Sequence, residues 1–214
     1  MTGKLAKRNF YLIKNIFFPG SAKYWEKRYS NNGNSGQGSY GENRNYKAAI
    51  INGFMADNQI TSVLELGCGD GNQLAAFEMK TYVGLDVSVT AIRKCEQLFS
   101  SDASKKFYDY TKYFAANHVL PKYDLVLSLD VIYHLVEDSV FETYMQRLFE
   151  SSSRFVIIYA WDVDGEKKYH VRHRKYSEWI KKNITGFMLH EIIQCKPGDN
   201  FCDFLFYKKV NQNR

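Results

Sequence analysis

The residues best suited to chemistry lie in one short segment, Val63 to Asn72 (VLELGCGDGN), in which Glu65 leads into Gly67, Gly69 and Gly71. An apolar run ending in alternating glycines predicts a tight strand-to-helix turn. Its bare backbone lets a ligand come close to the N–H groups and to the helix N-terminus. Nineteen residues after Gly67, at the end of the next apolar run, stands Asp86. A carboxylate there can accept both hydroxyls of a ribose lying across the strand ends. The spacing also separates two ligands. A dinucleotide fingerprint, GxGxxG, needs its third glycine where Asn72 stands, and Glu65 would repel a pyrophosphate. The same carboxylate attracts a cationic amino-acid group, so the charge pattern favours S-adenosylmethionine over NAD.

The elements that must hold these residues alternate along the chain. Apolar runs at Thr61–Leu66, Tyr82–Val87, Lys106–Tyr110, Asp124–Asp130 and Arg154–Ala160 read as strands. Between them, Ala91, Ile92, Cys95, Leu98 and Phe99, and then Val140, Phe141, Tyr144, Met145 and Leu148, form helical stripes, with Ser88 placed to cap the first. Continuous apolar strands alternating with amphipathic helices predict a parallel sheet covered on both faces. Met188–Cys195 and Phe201–Lys209 are separated only by Lys196 to Asn200, which leaves no room for a helix and predicts an antiparallel hairpin. Ahead of the first strand, Ala49, Ile50, Gly53 and Phe54 predict a helix within 43–58, and the glycine-rich stretch Ser30 to Gly41 predicts a loop long enough to be a lid. The expected division is an N-terminal helical and lid extension over 1–60 followed by a ligand-binding unit over 61–214.

Composition excludes several classes. With 45% hydrophobic and 24% charged residues the chain is neither disordered nor fibrous, and its longest apolar run, Phe155 to Trp161, is too short to span a bilayer. Lys4, Lys7, Arg8 and Lys14 break up the N-terminus, which argues against a secretory leader and for a cytoplasmic protein. Residues 5–18 predict a basic amphipathic helix, packed on the core or a second subunit, or touching the inner face of an anionic membrane. The cysteines, Cys68, Cys95, Cys195 and Cys202, form no CxxC pair and are expected as small core residues, with no metal site and no disulfide.

The block from Val63 to Ala160 resembles the class I S-adenosylmethionine-dependent methyltransferases. Glu65 to Gly71 (ELGCGDG) matches their [DE]xGxGxG motif, which includes Cys68, and Asp86, followed by Val87, matches their ribose-binding acid. The resemblance implies a Rossmann-like, seven-stranded, mostly parallel sheet with helices on both faces and an antiparallel C-terminal hairpin. It implies that Asp109 contacts the adenine, and that the segment from Ser128 through Asp130 and Tyr133 to His134 flanks the sulfonium and the acceptor. The lead-in, Tyr24 to Tyr29 followed by SGQGSYG, is similar to that of bacterial methyltransferases associated with cell-surface polysaccharide clusters. That likeness nominates Trp25, Arg28 and Tyr40 for the methionine end of the cofactor, Arg28 through its bidentate fork.

An alcohol acceptor must lose a proton, which makes His134 the leading base and Asp130 the runner-up. Seven basic or imidazole residues crowd 167–175, and Arg172, His173 and Arg174 are the expected contacts to an acidic acceptor such as a nucleotide-linked sugar or glycan precursor. The aromatics do not interleave with that basic run, which argues against nucleic acid. The other readings are a methyltransferase acting on RNA or protein, and an inactive cofactor-binding partner subunit.

Overall fold

The computed structural model describes residues 18–117, 119–195 and 202–210. The expected helix over 5–18, apart from Phe18, and the turn Lys196 to Asn200 lie outside them. Two helices come first, α1 (Ser21–Ser30) and α2 (Gly41–Asp57). The alternating unit follows as β1 (Ser62–Leu66), β2 (Thr81–Asp86), α3 (Val89–Leu98), β3 (Lys105–Asp109), α4 (Tyr110–Ala116), β4 (Tyr123–Leu129), α5 (Asp138–Glu150), β5 (Ser152–Ala160), α6 (Tyr176–Asn183), β6 (Phe187–Ile193) and β7 (Asp203–Lys209). They build one seven-stranded sheet in the order β3-β2-β1-β4-β5-β7-β6. Only the pairs β5–β7 and β6–β7 run antiparallel.

Strand alternation divides the core between the two faces of the sheet. Val63, Leu125, Leu127, Phe155, Ile157, Phe204 and Phe206 point to the face covered by α2 and α3. Leu64, Val126, Val156, Ile158, Leu205 and Tyr207 point to the face covered by α4, α5 and α6. β1 lies between β2 and β4. The chain therefore reverses its direction of winding at β1, which opens a crevice beyond the C-terminal ends of β1 and β4, where open α/β sheets take their ligands.

The helical stripes need two corrections. In α2 the buried face is Lys47, Ala48, Ile51 and Met55. Ala49 and Gly53, expected on that face, are exposed. A polarity rule puts lysine outside, and here Lys47 is inside, which rotates the true face by about one residue. In the other two helices, Leu98 and Val140 stand more open than their stripes imply, at 55% and 42% exposure. Val140 is open because α5 forms part of a cavity wall.

Candidate active site

The glycine loop runs from β1 through Gly67, Gly69 and Gly71, all in the left-handed region with φ of 89°, 59° and 79°. Such angles favour glycine, and close neighbours make the preference absolute at two positions. A Cβ on Gly67 would stand 2.4 Å from Val131 Cγ2, and one on Gly69 would stand 2.3 Å from Ser35 Oγ. The second contact comes from the glycine-rich lead-in, so that loop lies directly on the motif.

The loop is held by Asp86 at the end of β2. Its carboxylate accepts the Gly69 N–H at 3.0 Å and the Ser88 N–H at 2.8 Å. Burial pushes this carboxyl up to about 6, against those two backbone hydrogen bonds. A carboxylate has roughly four acceptor positions, so Asp86 keeps capacity for a diol. Glu65 is also buried. It accepts the Tyr82 hydroxyl at 2.5 Å, and desolvation raises it to about 7 despite that bond and the charge of Lys47. Both groups line a cavity of about 560 Å³, within the usual range for small-molecule sites. Gln73 lines it too. Its amide nitrogen donates to the Arg44 carbonyl at 3.1 Å, and its Oε1 is buried with no hydrogen-bond partner among the described residues. An acceptor left in that state is costly unless a ligand supplies a donor. Glu65, Gln73 and Asp86 thus suit a ligand with a cationic amino-acid end and a ribose, and S-adenosylmethionine has both.

The lead-in closes the crevice from above. The Ser21 N–H donates to Glu137 at 2.9 Å on one side, and Glu26 accepts the hydroxyls of Ser88 and Thr90, each at 2.6 Å, on the other. Glu26 therefore fixes α1 to the N-terminus of α3 and sits favourably at that helix end. The loop from 31 to 40 folds into a short turn over Gln37–Ser39. It is tied to the glycine loop through Asp70, which accepts the Ser35 N–H at 3.0 Å and the hydroxyls of Ser35 and Tyr40, each at 2.8 Å. Burial works against the ionised form of Asp70, but these bonds outweigh it and hold the carboxyl below its ordinary value.

The segment after β4 carries the remaining chemistry. Asp130 takes φ 60°, a strained angle for a side-chain-bearing residue. Its carboxylate meets Lys47 Nζ at 2.6 Å and accepts the Tyr133 hydroxyl at 2.9 Å. His134 lines the cavity, with Trp25 edge-on at 4.9 Å between ring centres. Its Nδ1 lies 3.0 Å from the His170 carbonyl oxygen. Since a carbonyl only accepts, Nδ1 carries the proton and Nε2 the lone pair. Burial lowers the imidazole to about 4.

Of the residues expected from sequence, Trp25, Glu65, Gly67, Cys68, Gly69, Asp86, Val87, Asp130 and His134 line the cavity. The others do not. Gly71 packs under α3, where a Cβ would lie 3.1 Å from Cys95 Sγ. Ser128 is buried against the Tyr144 hydroxyl at 2.7 Å. Asp109 caps α4 by accepting the Lys112 N–H at 2.8 Å. Arg28 lies over the Trp25 ring and donates to the Asn34 carbonyl at 2.7 Å, and Tyr40 serves Asp70. Arg172 and Arg174 bind Asp138 at 2.9 and 3.0 Å and also donate to backbone carbonyls, so they stitch the 162–175 connection to α5 rather than face an acceptor. His173 packs near Tyr133, 5.6 Å between ring centres, and Tyr133 meets the site through Asp130 and through the His134 ring, 4.5 Å between centres. Sequence reasoning missed Lys47, Gln73 and Ser35. For Lys47 a signal existed, since it sits one and four residues before the apolar Ala48 and Ile51.

Residues 64–154 match the family described as a methyltransferase domain. No curated protein is significantly similar to the chain. Among solved structures, the N-methyltransferase NodS from Bradyrhizobium japonicum WM9, in complex with S-adenosyl-L-homocysteine, superposes with a TM-score of 0.69 at 14% identity, covering 89% of this chain and 98% of that one. The magnesium protoporphyrin IX methyltransferase ChlM from Synechocystis PCC 6803, with the same ligand bound, gives 0.57 at 16% identity, covering 93% and 98%. The methyltransferase domain of bacterial CtHen1 gives 0.60 at 16% identity, covering 77% and 97%. Identities this low establish the fold alone: the chain has the class I methyltransferase fold, and within it residues 64–154 match the methyltransferase-domain family.

Proposed function

We propose that the enzyme methylates a hydroxyl group of a sugar or a surface-glycan precursor, with His134 as the proton acceptor. Bound S-adenosylmethionine supplies a methyl group on a positively charged sulfur. Asp86 and Glu65 hold its two ends, and the lead-in closes over the crevice and excludes water, so that in-line attack is favoured by position. The observation that carries the choice of base is the hydrogen bond from His134 Nδ1 to the His170 carbonyl, which leaves Nε2 with its lone pair on a ring that lines the cavity. A low basicity suffices. As the acceptor oxygen gains the methyl it becomes far more acidic than an imidazolium, and the proton passes to Nε2 as the bond forms. The glycan class is supported by the likeness of the lead-in to that of polysaccharide-cluster methyltransferases and by the position of Trp25 from that lead-in on the cavity wall.

The test is mass spectrometry of nucleotide-linked sugars, lipid-linked glycans and RNA after incubation with enzyme and cofactor. Addition of one methyl group to a sugar hydroxyl is expected, and methylation of RNA alone would refute the assignment. His134→Gln is expected to lower kcat by about a hundredfold with cofactor affinity unchanged. Full turnover in that variant would remove His134 as the base.

A further inference from the structure

Among the described residues, Lys47 is the most deeply buried lysine. Its side chain is 0% exposed, it comes from a helix before the methyltransferase domain, and its ammonium meets one carboxylate, Asp130, whose own side chain is 16% exposed. The ammonium also stands 5.1 Å from the centre of the Tyr159 ring. Burying a lysine costs several kcal/mol, and a pair of this kind seldom repays that cost in stability. The partner carboxylate is itself constrained. Asp130 has a left-handed backbone, Tyr133 holds its second oxygen, and Gly38 of the lead-in lies so close that a Cβ there would be 2.7 Å from Oδ2. Asp130 therefore sits in the cavity wall with a fixed orientation.

That wall already carries three other acids, Glu65, Asp86 and Glu137. A fourth, uncompensated carboxylate would attract a sulfonium strongly. Methyl transfer removes the positive charge from sulfur, so such attraction would stabilise the starting state more than the transition state and slow the reaction. It would also make the cavity prefer the charged cofactor to its neutral-sulfur product by more than the ribose and amino-acid contacts alone do. Lys47 cancels the charge of Asp130 while leaving its oxygens in place.

We infer that the Lys47–Asp130 pair sets the charge that the cavity presents at sulfur, and so determines how the enzyme discriminates between S-adenosylmethionine and S-adenosylhomocysteine. The inference rests on the cofactor alone and not on the acceptor assigned above. The two can therefore fail separately.

The readout is the ratio of the two dissociation constants, measured by calorimetry on the full chain. Lys47→Met leaves the carboxylate unbalanced and is expected to shift the ratio toward S-adenosylmethionine on the order of tenfold, for a charge several ångströms away in a partly screened cavity. Asp130→Asn leaves the ammonium unbalanced and is expected to shift it the other way by a similar factor. The double variant is expected to return close to the wild-type ratio. A merely structural pair would weaken both ligands together, with the ratio constant in every variant. Ratios that stay constant, or that move in the same direction in both single variants, overturn the inference. Should Lys47→Met fail to fold, Asp130→Asn decides alone: a fall in preference for the charged ligand supports the inference, and no change or a rise overturns it.

Discussion

Asp86 and Glu65 hold the fold and also line the cavity proposed for the cofactor. Each is buried, and burial raises each above its ordinary carboxyl value, Asp86 to about 6 and Glu65 to about 7. For an acid the sign follows directly. The native state holds more protons than the unfolded chain over this range, so this pair's contribution to stability falls as pH rises from about 4 to about 7 and is level above that. A ribose diol donating to Asp86, and a cationic ammonium near Glu65, both favour the ionised carboxylates. Cofactor binding at pH 6 is therefore expected to release protons and to tighten toward pH 7.5. Calorimetry in two buffers of different ionisation heat checks this: the binding enthalpies should differ at pH 6. Equal enthalpies at pH 6 would mean that these carboxyls do not meet the ligand. His134 has the opposite sign. Its imidazole is lowered to about 4, so its contribution to stability is complete above the ordinary histidine range and is lost as pH falls toward 4.

Among the elements, α1 and the turn after it act as a cover fixed at identifiable points. Glu26 joins α1 to the start of α3, Ser21 joins it to Glu137 in the segment after β4, and Asp70 receives the loop between α1 and α2. Each fixing point uses a hydrogen bond to a carboxylate, which is stronger than a neutral one. Replacing Glu26 with Gln keeps the shape but weakens the bonds to Ser88 and Thr90, and it is expected to cost about 1–2 kcal/mol of local stability. Hydrogen exchange locates the effect: amides of 21–40 should exchange faster while those of β1, β4 and β5 keep their protection. Slower exchange in α1, or loss of protection across the sheet, would contradict the view of α1 as a separately fixed cover. The 162–175 connection spends its charge inside the fold. Its positive charge suggests a surface for acidic acceptors, yet Arg172 and Arg174 are consumed by Asp138 and by carbonyls after β4. Charge in a sequence shows only that a partner is needed, and not that the partner is a substrate.

For the molecule as a whole, the cavity is where the lead-in and the sheet ends meet, so a ligand there touches both. Saturating cofactor should stabilise the entire chain by mass action, about 2.7 kcal/mol at a hundredfold excess over Kd. A thermal scan should show Tm rising by several degrees with S-adenosylmethionine and not with NAD. The reverse order would place a dinucleotide in the crevice. Among the described residues no helix is long and apolar enough to cross a membrane. The sequence alone determined the alternation of strands and helices, the antiparallel last pair, the glycine turn and its acidic partner, because periodicity, glycine and local spacing act within a few residues. Only the tertiary structure decided that Lys47 lies inside against Asp130, that Gln73 offers an unpaired oxygen, that Ser35 rests on Gly69 and that the arginines after β5 are already paired. Each of those facts joins segments separated by tens of residues, and burial, which sets their electrostatics, exists only once the segments have met.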